Sequence, residues 1–285
     1  MFYKVSFCKV CQSKNNKILI KLPFRDKKII SFFKKFYKRN KINEIKNLTK
    51  NSYYELVKCD NCSFIWQKYH PGEKIQNKLY NDWISFKDSL KKTKNKSNYL
   101  FFNNTLKLVI NKKSTNILDY GAGFGSFSIY AKNKKFSIYS LEASKKRVKY
   151  LKKFNLNILH YQKYKQFKNF FDLVYINQVV EHLDDLKKFF KILKYVSKKN
   201  CIVYVSVPEP KKINENIIKG PYQPLEHLNA FSNANLTKMF QMNHFKKLSS
   251  IELLKLYFKR KFSLFFLLKR FFYQNYSNSI IFKRH

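Results

Sequence analysis

Three clusters of sparingly used residues carry the chemistry that this chain advertises. Gly121, Gly123 and Gly125 are three of only five glycines; Cys8/Cys11 and Cys59/Cys62 account for four of five cysteines; and Pro208, Pro210, Pro221 and Pro224 are four of six prolines. Glycines so spaced permit positive φ and let a backbone approach a ligand closely, and a helix beginning just after them offers unpaired N–H donors. About 20 residues on, Glu142 supplies a carboxylate able to accept both hydroxyls of a ribose. A dinucleotide site would want Gly-x-Gly-x-x-Gly, but here the third glycine comes one residue early. Asp119, two residues before the first glycine, would repel a pyrophosphate. A purely structural turn is the competing reading.

The two Cys-x-x-Cys pairs, 47 residues apart, supply four thiolates, the number a closed structural zinc site needs. Two unrelated pairs, or a redox motif, are the alternatives. Cys201 lies in an apolar run and reads as core. His70, His160, His244 and His285 read as structural or exposed.

The elements that must position these groups follow from periodicity. Residues 116–119, 136–142, 157–160, 171–177 and 201–207 read as strands, and helices are expected from Ser126, over 144–154 and over 183–197. Strands alternating with helices argue for a parallel, right-handed α/β sheet, and the nearly all-apolar 201–207 suits a strand buried on both faces. Residues 233–243 read as a helix; 248–253 and 279–283 are candidate closing strands. Residues 1–70 differ, with short β fragments around the cysteines and a basic stretch at 23–50 between them.

Formal net charge is +42, from 59 Lys and Arg against 17 Asp and Glu, which suits an anionic partner. Only six of the 59 are Arg, the side chain preferred for bidentate phosphate contacts, and the Lys/Asn/Ile/Phe/Tyr bias is what AT-rich codons produce. Residues 27–41 and 255–272 are Lys/Phe-rich; in the first, Ile29, Phe32, Phe33 and Phe36 fall at helical spacing. Such helices lie in anionic membrane interfaces or pack their stripe on a neighbouring domain. No apolar run reaches 18 residues and no secretory signal opens the chain, so a cytoplasmic protein, peripheral at the inner face of the membrane if those stretches bind lipid, is expected.

Asp119-x-Gly121-x-Gly123-x-Gly125 after a strand, with Glu142 ending the next, resembles the first motif of class I S-adenosylmethionine-dependent methyltransferases. The resemblance implies that Gly121, Ala122, Gly123 and Gly125 wrap the methionine part and that Glu142 holds the ribose. Asp119 would anchor the amino-acid end, directly or through water, and Asn177 and Gln178 would line the cofactor. Residues 171–185 are similar to the fourth-strand segment of relatives of ubiquinone-pathway O-methyltransferases, in which Glu-x-x-Glu-His can bind a divalent metal. Here Gln178 replaces the first glutamate, leaving Glu181 and His182, which otherwise read as a helix cap lining the pocket. The family's adenine-recognising acid has no counterpart between His160 and Phe171; Gln162 and Gln166 are the available acceptors.

Residues 53–80 resemble the zinc-ribbon leader of many such enzymes, which act in sugar, polysaccharide and natural-product pathways; by that resemblance Cys8, Cys11, Cys59 and Cys62 hold a structural zinc. Glu226-His227, followed by Phe231-Ser232, resembles a Glu-His-x-x-x-Phe-Ser signature of the zinc-ribbon group. His227 has a pKa range suited to a general base toward the acceptor, with Glu226 and Tyr222 as secondary candidates and a structural loop histidine as the alternative.

The expected fold is α/β, a Rossmann-like seven-stranded methyltransferase sheet, mostly parallel with the last strand antiparallel, preceded by a small zinc-ribbon domain. The expected domains are a zinc-binding ribbon with a basic insertion (1–70), a helical connector (71–112) and the methyltransferase domain (113–285). The expected activity is S-adenosylmethionine-dependent methylation of O or C on a small molecule, a sugar nucleotide or lipid-linked glycan precursor. An RNA methyltransferase and a non-catalytic module retaining the fold are the competing readings.

Overall fold

A computed structural model describes residues 1–93, 98–109, 114–210, 218, 220–258 and 278–285. The chain forms two compact units. One comprises Met1–Lys92, Val180–Leu186 and Pro208–Leu236; the other comprises Thr93–Val179, Lys187–Val207 and Thr237–His285.

The second unit holds a seven-stranded sheet. Its strands are β1 (Asn116–Tyr120), β2 (Ser137–Leu141), β3 (Asn157–Leu159), β4 (Phe171–Asn177), β5 (Ser197–Val207), β6 (Phe245–Lys247) and β7 (Asn278–Arg284), in the order β6-β7-β5-β4-β1-β2-β3. The run β5-β4-β1-β2-β3 is parallel throughout. β7 is antiparallel to both β5 and β6, so the sheet is mostly parallel with its last strand reversed, as expected. Central position explains composition: all of β4 but its last residue is buried, as is 201–207 of β5. On one face Ile117, Ile138, Leu173, Tyr175 and Tyr204 join Phe102 and Phe127 in a single cluster. Elsewhere in the unit Phe240 stacks on Phe282 with ring centroids 4.2 Å apart, and Phe190 meets Phe240 at 4.9 Å. Each such buried ring contributes about 1.5–3 kcal/mol. The chain leaves β1 outward through β2 and β3 and returns to β4 on β1's other side, so the order reverses at the β1/β4 boundary. Ligands bind beyond the carboxyl ends of the strands at such a boundary.

One expectation is corrected. Residues 248–253 are not a strand: β6 is Phe245–Lys247, and Ser250–Phe258 is a helix. A capping box decides it. The Glu252 N–H donates to Ser249 Oγ (3.2 Å), and the Ser249 N–H donates to the Glu252 carboxylate (2.8 Å).

The first unit carries a four-stranded antiparallel sheet ordered Asn229–Ala230, Ile65–Gln67, Tyr53–Cys59, Asn16–Pro23, and a two-stranded pairing of Phe2–Lys4 with Tyr69–Pro71. The helix Lys27–Phe36 starts where Asp26 caps the Lys28 N–H at 2.7 Å. Its Ile29, Phe32 and Phe33 are buried with Phe24, Tyr37, Tyr54 and Trp83, so its apolar stripe is spent inside its own unit. Of the second basic stretch, residues 259–272 lie outside the described residues. Among the described residues no helix is long and apolar enough to cross a membrane.

Candidate functional site

The loop between β1 and the helix Ser126–Asn133 is built by its glycines. The Gly121 and Ala122 N–H groups donate to the Leu141 carbonyl at 2.8 and 2.9 Å, tying the loop to the end of β2. Gly121 has φ +79°, and a Cβ there would come within 2.4 Å of Val179 Cγ2. Gly123 also has positive φ, but nothing beyond the backbone oxygen of Gly121, 4.0 Å away, would meet a Cβ there, so the loop is open at that residue.

Glu142 faces this opening. Its carboxylate accepts the Gly123 N–H at 2.8 Å and the Ser144 N–H at 2.7 Å, with the Arg147 guanidinium 3.9 Å away. A carboxylate offers about four lone-pair sites, so two remain for a diol. Asn177 and Gln178 are exposed at the carboxyl end of β4, the strand next to β1; Gln178 has φ +56° and donates its N–H to the Ser206 carbonyl at 2.8 Å. Asp119 is placed differently. It is buried, accepts a 2.6 Å hydrogen bond from Ser128 Oγ, and is pushed up to about 7 by burial, with the Glu142 charge adding to the rise. The structure therefore engages Asp119 beneath the loop.

In the other unit the four cysteines converge. Their Sγ atoms lie within 4.8 Å of one another, with Cys8–Cys62 and Cys11–Cys59 both at 3.5 Å. A tetrahedron of thiolates 2.3 Å from zinc has edges of about 3.8 Å. Both knuckles use the same backbone. Gln12 and Ser63, each following the second cysteine of its pair, have positive φ and donate to the carbonyls of Cys8 and Cys59 at 2.9 Å. Burial holds the Cys8 thiol well above its ordinary range and Cys62 at about 11, a cost that a bound divalent cation offsets. The donor set fits a structural zinc, and four cysteines close its coordination shell.

The first unit also assembles an acid–histidine cluster. Glu181 and His182 lie on the short turn Val180–His182; His227 comes from the loop before the strand Asn229–Ala230. One ligand atom from each lies within 4.8 Å of the others, and the two imidazole rings meet edge to face at 4.7 Å. Asn229 orients the turn, its amide donating to the carbonyls of Leu183 (2.7 Å) and Val180 (3.3 Å). His182 Nδ1 bonds the Glu226 carbonyl at 2.9 Å and lies 3.2 Å from the Tyr80 hydroxyl. Among the described residues both Glu181 carboxylate oxygens and His227 Nδ1 are buried without a hydrogen-bond partner, the nearest cationic group to Glu181 being His182 Nε2, 3.9 Å from Oε1. Buried polar groups are otherwise almost always paired, so this arrangement points to a guest.

Burial lifts Glu181 to about 8. His227 is driven well below its usual value by burial and by His182 beside it, while the carbonyls of Pro221 and Gly220 bond its ring. Near neutrality the cluster therefore presents a protonated acid and a neutral imidazole with a free Nδ1. It can exchange a proton with a ligand, or supply two imidazoles and a carboxylate to a divalent metal. Of the secondary candidates, Glu226 is half-buried and bonded by the buried Tyr37 hydroxyl. Tyr222 is buried, and its carbonyl accepts the Tyr54 hydroxyl at 2.5 Å.

Sequence reasoning did not foresee that Glu181 and His182 meet His227, nor the parts of Tyr80 and Asn229. A signal existed: Glu-His-Leu occurs twice, at 181–183 and 226–228, and the two copies converge.

A family model described as a methyltransferase domain matches residues 93–250. An uncharacterized protein of Methanocaldococcus jannaschii is 37% identical over 120 residues, 39% of this chain and 49% of that protein; the match thus spans about half the length of the curated relative. Among solved structures, the Burkholderia thailandensis 1,6-didemethyltoxoflavin-N1-methyltransferase, with bound 1,6-didemethyltoxoflavin and S-adenosylhomocysteine, aligns with a TM-score of 0.50 at 10% identity. That alignment covers 79% of this chain and 97% of that one, a likeness of fold. An S-adenosylmethionine-dependent methyltransferase of Archaeoglobus fulgidus aligns at 0.48 with 16% identity, covering 70% and 100%.

Proposed function

The chain belongs to the methyltransferase-domain family, and from that premise we propose that it transfers the methyl group of S-adenosylmethionine to oxygen or carbon of a small molecule, a sugar nucleotide or glycan precursor. The observation that carries this reading is the Glu142 carboxylate, held by the Gly123 and Ser144 N–H groups with acceptor capacity to spare for a ribose diol. Ala122 and the open Gly123 give the methionine part a backbone surface, Gly121 and Gly125 hold the turn where a Cβ would meet Val179 and Leu151, and exposed Asn177 and Gln178 offer amides at the neighbouring strand end. Asp119 shapes the floor of that loop through Ser128.

S-adenosylmethionine supplies a methyl on a cationic sulfonium, which leaves as a neutral thioether when an in-line nucleophile takes the methyl. His227 is the candidate base toward the acceptor, its imidazole kept neutral by burial and by His182 beside it. His182, held by the Glu226 carbonyl and edge to face with the His227 ring, keeps that imidazole neutral, with Glu181 protonated beside them near neutrality. The four cysteines hold a structural zinc that shapes the unit in which this cluster sits. The zinc module is also what favours a sugar-type acceptor, by resemblance to enzymes with such leaders. A second reading, favoured by the same orphaned atoms, is that Glu181, His182 and His227 hold a divalent metal toward the acceptor.

Radiolabelled methyl transfer screened over sugar nucleotides and RNA tests the proposal. Label should pass to a sugar nucleotide, and His227→Asn should slow transfer by about 10²–10⁴-fold, the usual worth of a positioned base, with cofactor binding unchanged. Label passing to RNA alone, or an unimpaired His227→Asn enzyme, would refute it.

A further inference from the structure

The basic helix Lys27–Phe36 keeps its cationic face after its apolar stripe is buried, and that face is not spread over a convex surface. With the residues before it and the helix Ile42–Thr49, it lines an open groove of about 630 Å³ bounded by the exposed Arg25, Lys27 and Lys34 and the half-buried Lys46, with Ile30, Ser31 and Asn47 completing the lining. Among the described residues the wall contains no acid.

Neighbouring cations are used differently. Lys41 and Lys78 pair with Glu44, and Lys38 and Lys41 pair with Asp82. Arg25, Lys27, Lys34 and Lys46 have no carboxylate partner among the described residues. Four unneutralised cations around one concavity repel one another, and an anion placed among them relieves that repulsion. We propose that this cavity is a binding site for a small molecule carrying a diphosphate or longer phosphate chain, separate from the residues assigned to methyl transfer.

The lining argues for that class over a nucleic acid or a flat lipid surface. Three of the four cations are lysines, point charges suited to phosphate oxygens without a fixed fork geometry. Among the described residues the wall has no aromatic side chain on which a base could stack, so the phosphate chain is what it reads. The helix has no apolar face left to enter a bilayer, since Ile29, Phe32 and Phe33 are buried. The volume exceeds what a lone phosphate fills and falls within the range of small-molecule sites. Ser31 and Asn47 add neutral hydrogen-bond donors to the charged wall.

Calorimetry of the full chain with inorganic tripolyphosphate and pyrophosphate tests the site, with single-stranded RNA and anionic vesicles as competitors. Because the chain carries +42, the control must remove equal charge elsewhere. Lys27→Glu/Lys34→Glu is therefore compared with Lys187→Glu/Lys191→Glu on exposed positions of another helix. The expected result is saturable one-to-one binding of tripolyphosphate, weakened at least tenfold by the cavity pair and less than about twofold by the control pair, both variants retaining the parent unfolding temperature. Lys46→Gln, which removes one charge and adds none, should weaken binding in the same direction. Equal losses in both pairs would show diffuse attraction and overturn the proposal. So would binding of RNA or vesicles that depends on the cavity lysines when tripolyphosphate does not bind. Neither result bears on methyl transfer, whose assays use other residues.

Discussion

Glu181 gives the acid–histidine cluster a sharp thermodynamic signature. Its carboxyl is fully buried, has no hydrogen-bond partner among the described residues, and holds its proton to about pH 8, against 4.5 for a free glutamate. Below pH 4.5 the folded and unfolded chains are both protonated there, and the group contributes nothing that changes with pH. Between 4.5 and about 8 only the folded chain keeps the proton, so stability falls as pH rises and levels off above 8. The slope approaches 1.36 kcal/mol per pH unit, which amounts to about 3 kcal/mol between pH 5 and pH 7. Glu181→Gln has nearly the same shape and no proton to lose. The variant's stability relative to the parent should therefore climb by that amount over the window, a shift on the order of 1 M in the urea midpoint. The assay is built into the sequence: both tryptophans, Trp66 and Trp83, are buried in the unit that holds the cluster, so their fluorescence reports its unfolding. Groups common to both proteins and outside the cluster, such as Asp119, cancel in the difference. Parallel pH profiles for parent and variant would refute the claim that a neutral carboxyl is buried there.

Gly121→Ala should destabilise the sheet-bearing unit by about 1–3 kcal/mol, because it places a Cβ at φ +79° within 2.4 Å of Val179; thermal unfolding followed by circular dichroism measures it. The parent chain should carry one zinc by elemental analysis and Cys59→Ser none. In that variant, amide exchange at 180–184 should rise, since Lys9, beside Cys8, donates to the Asp184 carbonyl at 2.9 Å while Tyr3 and His70 bind the Asp184 carboxylate. Lys9→Met should raise the same exchange while leaving the zinc in place.

What was legible in the sequence was what local chemistry dictates. Residues 171–177 and 201–207 are apolar enough to have no stable place except the middle of a sheet, and three glycines in five residues force a tight turn between β1 and its helix. The cysteine spacing implied a four-thiol site whose sulfurs the fold does bring together. Residues 248–253 misled because Leu248, Ile251, Leu253 and Leu254 suit a strand or a helix, and the deciding contact is the reciprocal cap between Ser249 and Glu252. Asp119 sits at the position where the motif resemblance implied a ligand contact, but which way it turns depends on Ser128, nine residues away. The meeting of His182 with His227 spans 45 residues and depends on Asn229 holding the turn from another strand, which no local pattern records. The stripe on the helix at 27–36 was visible, whereas the partner it packs against was not.

The central claim is that a sulfonium nucleoside rests on the loop after β1 with its ribose on Glu142. Titrating S-adenosylmethionine into the full chain by calorimetry, alongside Glu142→Gln, tests it most directly. One-to-one binding should be seen, raising the unfolding temperature, with the variant at least about tenfold weaker because a charged acceptor of two hydroxyls has become a neutral amide. Absence of both heat and thermal stabilisation, or an affinity indifferent to Glu142, would contradict it.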